Sequence, residues 1–444
     1  MADTIKNWEK MRQALQLSGA ELRELAQHFR KSAEDALEGK ESSLSALRTY
    51  LGLPTGRETG IFLALDFGGT NVRASRIRLM GEQGFAVESK VAKPLKCADY
   101  DYTASSKTAD ELFDFIAAIV KEAADGNHDY KLGFTFSFAV DQTSAKDASL
   151  IAWSKEIAVP GVAGQSINGL LKEALVRAGL DRIEPVALLN DTTATLLSSV
   201  YQHNPSRIGI VCGTGFNMCY YEPALQMIVN LEAAGFDGGP ATVWDRLVDE
   251  ASQLPGDHPF EKMIGGRYLS EVCRVVFGEY LKRDIPYFTT RDMNELISGQ
   301  QTTEELLGFA VSEEEQEGLC ALVRAVFARA AQLIGAASFG LLSHLAEDKA
   351  LRNSPSPSKE AWSKRSKAFR RSLKMPSASS AWLRPKTRAS TSSPTATAPP
   401  SARPSLQHFV SVNSVHRRSK ISYHRDERRT TSLTSVPGFL IMKL

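Results

Sequence analysis

The sequence predicts an α/β protein of two domains with a cleft between them, followed by a disordered C-terminal tail. Three observations carry this expectation. Apolar runs at 63–67, 186–189 and 208–212 each stop at glycines or polar residues, as strands do when they deliver functional groups at their ends. Amphipathic stretches such as 109–124 lie between them, so strands and helices alternate along the chain. The composition then changes abruptly near residue 351.

The elements follow in order. Ser18-Gly19-Ala20-Glu21 is a capping box, and Leu22, Leu25, Ala26 and Phe29 behind it share one stripe, which predicts a helix packed outside the cleft. Gly60 to Lys96 reads as a hairpin of strands, Ala109 to Ala124 as a helix and Leu132 to Val140 as a strand, together forming the smaller domain. Val186 to Leu189 is a buried strand that ends in Asn190-Asp191, and Thr192 to Thr195 suit a helix start. Ile208 to Cys212 is another apolar strand, opening the larger domain, and Glu313 to Glu347 reads as a long helical pair. The predicted divisions are 1–203, a truncated 204–350, and a tail at 351–444.

Length and charge narrow the classes. A chain of 444 residues has room for two or three domains, and no apolar run approaches the roughly 20 residues of a membrane span, so no membrane partner is expected. Met1 to Lys10 is polar and lacks the apolar core of a secretory signal. Cys97, Cys212, Cys219, Cys273 and Cys320 form no CxxC pair and are odd in number, which favours reduced thiols and a cytoplasmic location.

The net charge of +2 averages two unlike regions. Residues 351–444 carry 19 Lys and Arg against 3 Asp and Glu, a net +16, whereas the first 350 carry 34 against 48, a net −14. The tail also holds 20 Ser, 7 Thr and 9 Pro but a single glycine, Gly438, a composition that buries little core. Stretches such as 354–359 and 391–400 read like coding sequence translated in a shifted frame. A basic tail for nucleic acid is the other reading, but a charge run without a folded motif supports it only weakly, so no nucleic-acid partner is expected.

The chemistry begins at Leu63-Ala64-Leu65-Asp66-Phe67-Gly68-Gly69-Thr70-Asn71-Val72-Arg73. Glycines after a strand let backbone N–H groups approach phosphate oxygens, and Asp66 is placed to reach a hydrated Mg2+. Gly213-Thr214-Gly215-Phe216-Asn217 repeats the pattern, and Asp191 ends a strand between the two. Two phosphate-type turns with a strand-end carboxylate between them predict a nucleotide cleft with a base.

These motifs stand in one order with Ser42-Ser43-Leu44, Pro54-Thr55-Gly56, Leu132-Gly133-Phe134-Thr135-Phe136-Ser137-Phe138, Trp153-Ser154-Lys155, Asn190-Asp191-Thr192, Asn230-Leu231-Glu232 and Phe260-Glu261-Lys262-Met263-Ile264-Gly265-Gly266-Arg267-Tyr268. Over residues 10–350 the chain resembles the hexokinases of the actin-like ATPase superfamily, with its ribonuclease H-like fold. The resemblance implies transfer of the γ-phosphate of ATP to the 6-hydroxyl of glucose or a similar hexose, the first step of glycolysis. It assigns Asp191 as general base and Lys155 as a group that binds the sugar and stabilises developing charge. Sugar contacts fall on Ser137, Phe138, Ser154, Lys155, Asn190, Asp191, Asn217, Glu232 and Glu261. Asp66, Gly68, Gly69, Thr70, Asn71, Arg73, Gly213, Thr214 and Gly215 serve the phosphates, and Ser338 lies near the adenosine. Mg2+ would be held mainly through ATP phosphates and water, with no protein metal ligand assigned.

The chain departs from the family pattern in places. Ala139 stands where proline usually follows Ser-Phe, Ser154 replaces a threonine, and no tryptophan follows Glu232. The family's last strands and glycine-rich adenosine segment are not found after about Asn353. A non-catalytic sugar-binding sensor is therefore the alternative from another class. A bacterial repressor-related sugar kinase would need a Cys/His zinc cluster, which five dispersed cysteines do not supply.

Overall fold

The computed structural model describes residues 2–126, 128–153, 157–203, 206–347, 434–436 and 439–441. Helices α1 (Ala2–Ala14) and α2 (Gly19–Leu37) lead to a short strand, β1 (Leu47–Arg48). Strands β2 (Thr59–Phe67), β3 (Asn71–Gly81) and β4 (Gly84–Pro94) precede α3 (Ala109–Ala123), β5 (Tyr130–Phe136), β6 (Ala139–Gln142), β7 (Ala148–Ala152), α4 (Ile167–Arg177) and β8 (Ile183–Leu189). After α5 (Asp191–His203) come β9 (Ile208–Cys212), β10 (Phe216–Glu222), β11 (Met227–Asn230) and a 3-10 turn at Ala233–Gly235. Helices α6 (Val243–Glu250), α7 (Pro259–Ile264), α8 (Gly266–Leu281), α9 (Thr290–Ser298), α10 (Thr303–Leu307) and α11 (Glu313–Glu347) follow. Within the tail span, β12 (Thr434–Val436) and β13 (Phe439–Ile441) pair antiparallel, and β13 lies against β9.

The first sheet has the order β4-β3-β2-β5-β8, an antiparallel meander with β5 and β8 added in parallel. Alternation along β2 and β5 buries Leu63, Leu65, Phe67, Leu132, Phe134 and Phe136 in one core with Leu112, Phe113, Ile116 and Val120 of α3. The predicted strand 132–140 is two strands: β5 stops at Phe136, and after Ser137-Phe138 the chain enters β6, which pairs only with β7. The break places Ser137 and Phe138 between the two ladders.

The second sheet, β1-β11-β10-β9, is antiparallel throughout. Although α1, α2 and β1 precede the first sheet in sequence, they pack with this second core. Phe29 of α2 meets the ring of Phe236 at 4.8 Å, and α2 seats on α11 where a Cβ at Gly340 would come within 2.5 Å of the Ala26 carbonyl oxygen.

The segment expected to be a helical pair is one continuous 35-residue helix, α11. Its glycines are close-packing positions and not breaks: a Cβ at Gly318 would come within 2.8 Å of Tyr280 Oη and 2.9 Å of Trp8. Residues 313–346 are long and apolar enough to cross a membrane, contrary to the expectation for apolar runs, and 56% of the most apolar window is buried inside the protein. Leu319, Leu322, Leu333 and Leu341 supply the second core.

One element joins the two sheets. Leu196 and Val200 of α5 pack with Cys219 and Ile228 of the second sheet, while Tyr201 donates its hydroxyl to the carbonyl of Gly84, the first residue of β4, at 3.0 Å.

Candidate active site

Parallel register brings three functional segments level. Phe67 of β2 is paired with Phe136 of β5, and Thr135 of β5 with Leu189 of β8. The residues that emerge together from these carboxyl ends are Gly68-Gly69-Thr70, Ser137-Phe138 and Asn190-Asp191. Ligands of parallel sheets bind at such ends because each strand exits into an adaptable turn there.

Asn190 and Asp191 start α5. The Asn190 side-chain oxygen accepts from the Thr193 N–H at 2.9 Å and from the Thr192 hydroxyl at 3.0 Å, so Asn190 caps the helix. Its Nδ2 is buried without a hydrogen-bond partner among the described residues, the state of a donor kept for a ligand. Asp191 Oδ1 accepts from the Thr192 N–H at 2.8 Å.

The first phosphate-type turn is closed by Gly68 N–H donating to the Asn71 carbonyl at 3.1 Å and by Asn71 Nδ2 donating to Thr70 Oγ1 at 3.0 Å. Arg73, the cross-strand partner of Asp66, donates to its Oδ2 at 2.9 Å and orients that carboxylate. The second turn docks on the junction of α7 and α8: Gly266 N–H donates to the Gly213 carbonyl at 2.8 Å and Arg267 N–H to that of Thr214 at 3.0 Å. Gly215 is needed for proximity, since a Cβ there would stand 2.5 Å from Glu261 Oε2, whereas Gly213 has open space around its Cα. Burial, reinforced by the nearby Glu261, pushes the Cys212 thiol up to about 11, so it stays protonated beside this turn at neutral pH.

The polar heads on the second sheet form a network. Glu261 Oε2 accepts from the Phe216 N–H at 2.8 Å. Asn217 Nδ2 donates to Glu232 Oε1 at 3.1 Å and to Asn230 Oδ1 at 3.0 Å. Glu232 adopts a left-handed backbone with φ of 46°, an uncommon state for a non-glycine residue that concentrates at functional sites. On the first sheet, Phe138 packs edge-to-face with Phe67 at 5.2 Å and with Trp153 at 5.0 Å, which fixes the segment that carries Ser137.

These two groups meet through α5. Cys219 stands two residues beyond Asn217 on the same face of β10 and hydrogen-bonds Thr192, next to Asp191; burial pushes its thiol up to about 12. A Cβ at Gly209 of β9 would strike the Thr192 carbonyl oxygen at 2.6 Å. The base candidate therefore rests directly on the strands that carry the second turn.

Ser338 offers no exposed group to a ligand. It is fully buried in α11 and donates its hydroxyl to the Ile334 carbonyl at 2.7 Å, which satisfies a helical serine without any ligand. Ser154 and Lys155 lie outside the described residues. The reading of the sequence missed Asn230 and the docking of Gly265-Gly266-Arg267 on the second turn; both stand in quoted motifs, but nothing local marks which residues of a motif support others.

A family model described as hexokinase matches residues 7–201, and a second with the same description matches 207–360. Hexokinase-2 of Candida albicans is 32% identical over 309 residues, which are 63% of this chain and 62% of that protein. Hexokinase-1 of Schizosaccharomyces pombe is 38% identical over 248 residues, 50% of each. The chain thus spans between half and two thirds of the length of these curated relatives. A crystal structure of a hexokinase, 30% identical, superposes with a TM-score of 0.70 over 77% of this chain and 86% of its own. Hexokinase from Schistosoma mansoni in complex with glucose, 24% identical, superposes with a TM-score of 0.65 over 84% and 94%. The fold is the two-domain actin-like arrangement.

Proposed function

The chain belongs to the hexokinase family, and on that premise we propose that it transfers the γ-phosphate of ATP to the 6-hydroxyl of a hexose, glucose first, with Asp191 as general base. The supporting observation is the common level of Gly68, Ser137 and Asn190 at the ends of β2, β5 and β8, with α5 resting on the strands of the second turn. A sugar hydroxyl is a weak nucleophile, so a carboxylate within hydrogen-bond reach must take its proton as the phosphoryl arrives. Asp191, oriented by the Thr192 N–H, is suited to that task, and the free Nδ2 of Asn190 to fixing the sugar beside it.

The open space at Gly213 and the exposed Thr214 beside it fit a phosphate chain. Bound ATP, with its Mg2+, would supply the phosphoryl group and the neutralising charge. Arg73 holds the Asp66 carboxylate beside the first turn. Lys155 is proposed, from the family resemblance, to bind the sugar and to stabilise charge. All five cysteines are unpaired, which supports a reducing compartment, and we propose the cytoplasm.

A sugar-binding protein without turnover is the second reading, favoured by the full burial of Ser338, whose hydroxyl is taken up by the Ile334 carbonyl. Replacing Asp191 by Ala and measuring phosphorylation beside calorimetric glucose binding separates the two. We expect turnover to fall by several orders of magnitude with glucose affinity retained within about fivefold, because proton removal counts in the transition state and one contact of many is lost in the ground state. Activity within about tenfold of the parent would exclude Asp191 as base. Glucose binding by a parent chain without turnover would establish the second reading.

A further inference from the structure

Asn230 ends β11 and is 6% exposed. Its Nδ2 donates to Glu232 Oε1 at 2.5 Å, and its Oδ1 accepts from Asn217 Nδ2 at 3.0 Å and from the Glu232 N–H at 3.5 Å. Asn217 Nδ2 also donates to Glu232 Oε1 at 3.1 Å, while its own Oδ1 accepts from the N–H groups of Met218 at 2.7 Å and Ala233 at 3.0 Å. A carboxamide has two N–H donors and two acceptor lone pairs. The hydrogen-bonding capacity of Asn217 is therefore fully taken up by the protein. Glu232 Oε1 holds two amide donors, whereas Oε2 has no hydrogen-bond partner among the described residues.

We propose that Asn230 is a positioning residue for hexose recognition: it locks Glu232 so that Oε2 is the acceptor presented to the sugar. The inference rests on the hexose-binding reading above and adds which atom does the recognising and what holds it there. The lock acts on a residue whose own backbone is left-handed. A φ of 46° is costly for glutamate, and the two amide donors on Oε1 orient its carboxylate. A preformed acceptor binds a sugar hydroxyl without ordering a flexible carboxylate first.

The test is glucose affinity, by calorimetry on the full chain, for the parent, Asn230→Asp and Asn230→Ala, with thermal melts of each without sugar. Asn230→Asp keeps the shape but replaces the donor with a carboxyl facing Glu232. At about pH 8 the two carboxylates repel, and at about pH 5.5 a shared proton restores a donated hydrogen bond. Affinity should fall at least tenfold at the higher pH and recover most of that loss at the lower. Asn230→Ala should lose a similar factor without recovery. A general brace for the sheet would instead lower the melting temperature and weaken binding equally at both pH values, and that result overturns the proposal. So does glucose affinity within twofold of the parent in Asn230→Asp at the higher pH, or in Asn230→Ala should the first variant not fold. A parent that binds no hexose defeats the underlying reading as well, whereas parental binding with unaffected variants defeats only the role of Asn230.

Discussion

Gly209 is the residue on which the base depends most directly without touching substrate. It leaves room for the first turn of α5 to lie on β9: a Cβ would come within 2.6 Å of the Thr192 carbonyl oxygen, 2.8 Å of Cys219 Sγ and 2.9 Å of Leu196 Cβ. The sulfur and the leucine can shift, but a helix carbonyl one residue from Asp191 cannot move alone. We expect Gly209→Ala to cost about 1 to 3 kcal/mol by overpacking and to lower turnover by roughly a hundredfold by displacing the base about 1 Å. Glucose affinity should change far less. Urea melts with steady-state kinetics check this, and unchanged turnover in a folded variant would show that α5 is not seated through Gly209. A sequence window shows only a glycine in a strand there, a feature read as a weak point until the facing helix is known.

Among the elements, α11 ties the second core together through charged groups as well as leucines. Arg329 donates to both oxygens of Asp245 in α6, at 3.0 and 2.7 Å, with both side chains buried. Near its end, His344 lies between Glu34 of α2 at 3.1 Å and Glu222 of β10 at 2.8 Å. Burial works against the charged imidazole, but the hydrogen bonds to Glu222 and Glu34 outweigh it, so its pKa is raised above 6.5. Burial likewise opposes ionised Glu222, and His344 overrides it and lowers that carboxyl below 4.5.

The two shifts act at opposite ends of the pH scale. The histidine contribution is complete below its ordinary value of 6.5 and lost as pH rises through its raised value. The glutamate contribution is complete above 4.5 and lost as pH falls through its lowered value. Melting temperatures of the parent and His344→Gln should therefore differ most between these values and converge at alkaline pH. A difference that grows with pH would mean the imidazole is neutral in the fold. The capping box at Ser18, the stripe of α2 and the strands around Asp66 were legible because each is a local pattern. The continuity of α11 was not, because its glycines carry meaning only through Trp8, Tyr280 and Ala26, which touch them from elsewhere in the chain.

At the scale of the molecule, the candidate site is shared between two sheets joined by α5. Sugar contacts from Ser137 and Asn190 on one side and from Glu232 and Glu261 on the other would draw the sheets together, excluding water from the transferring phosphoryl. Small-angle scattering should show a smaller radius of gyration at saturating glucose than without it. An unchanged radius would mean that the sugar is bound by one side alone.

The sequence by itself determined the chemistry and its order along the chain: the two glycine turns, the strand-end Asn190-Asp191, and the family that these motifs mark. Residue type and spacing suffice for that, because strands, turns and caps are encoded within a few residues. Tertiary structure alone decided which core the N-terminal helices join, that Asn190 and not Asp191 caps α5, that Ser338 is buried in its own helix, and that Asn230 holds Glu232. Each of these depends on what meets a side chain from a distant part of the chain, and a one-dimensional pattern carries no record of such contacts.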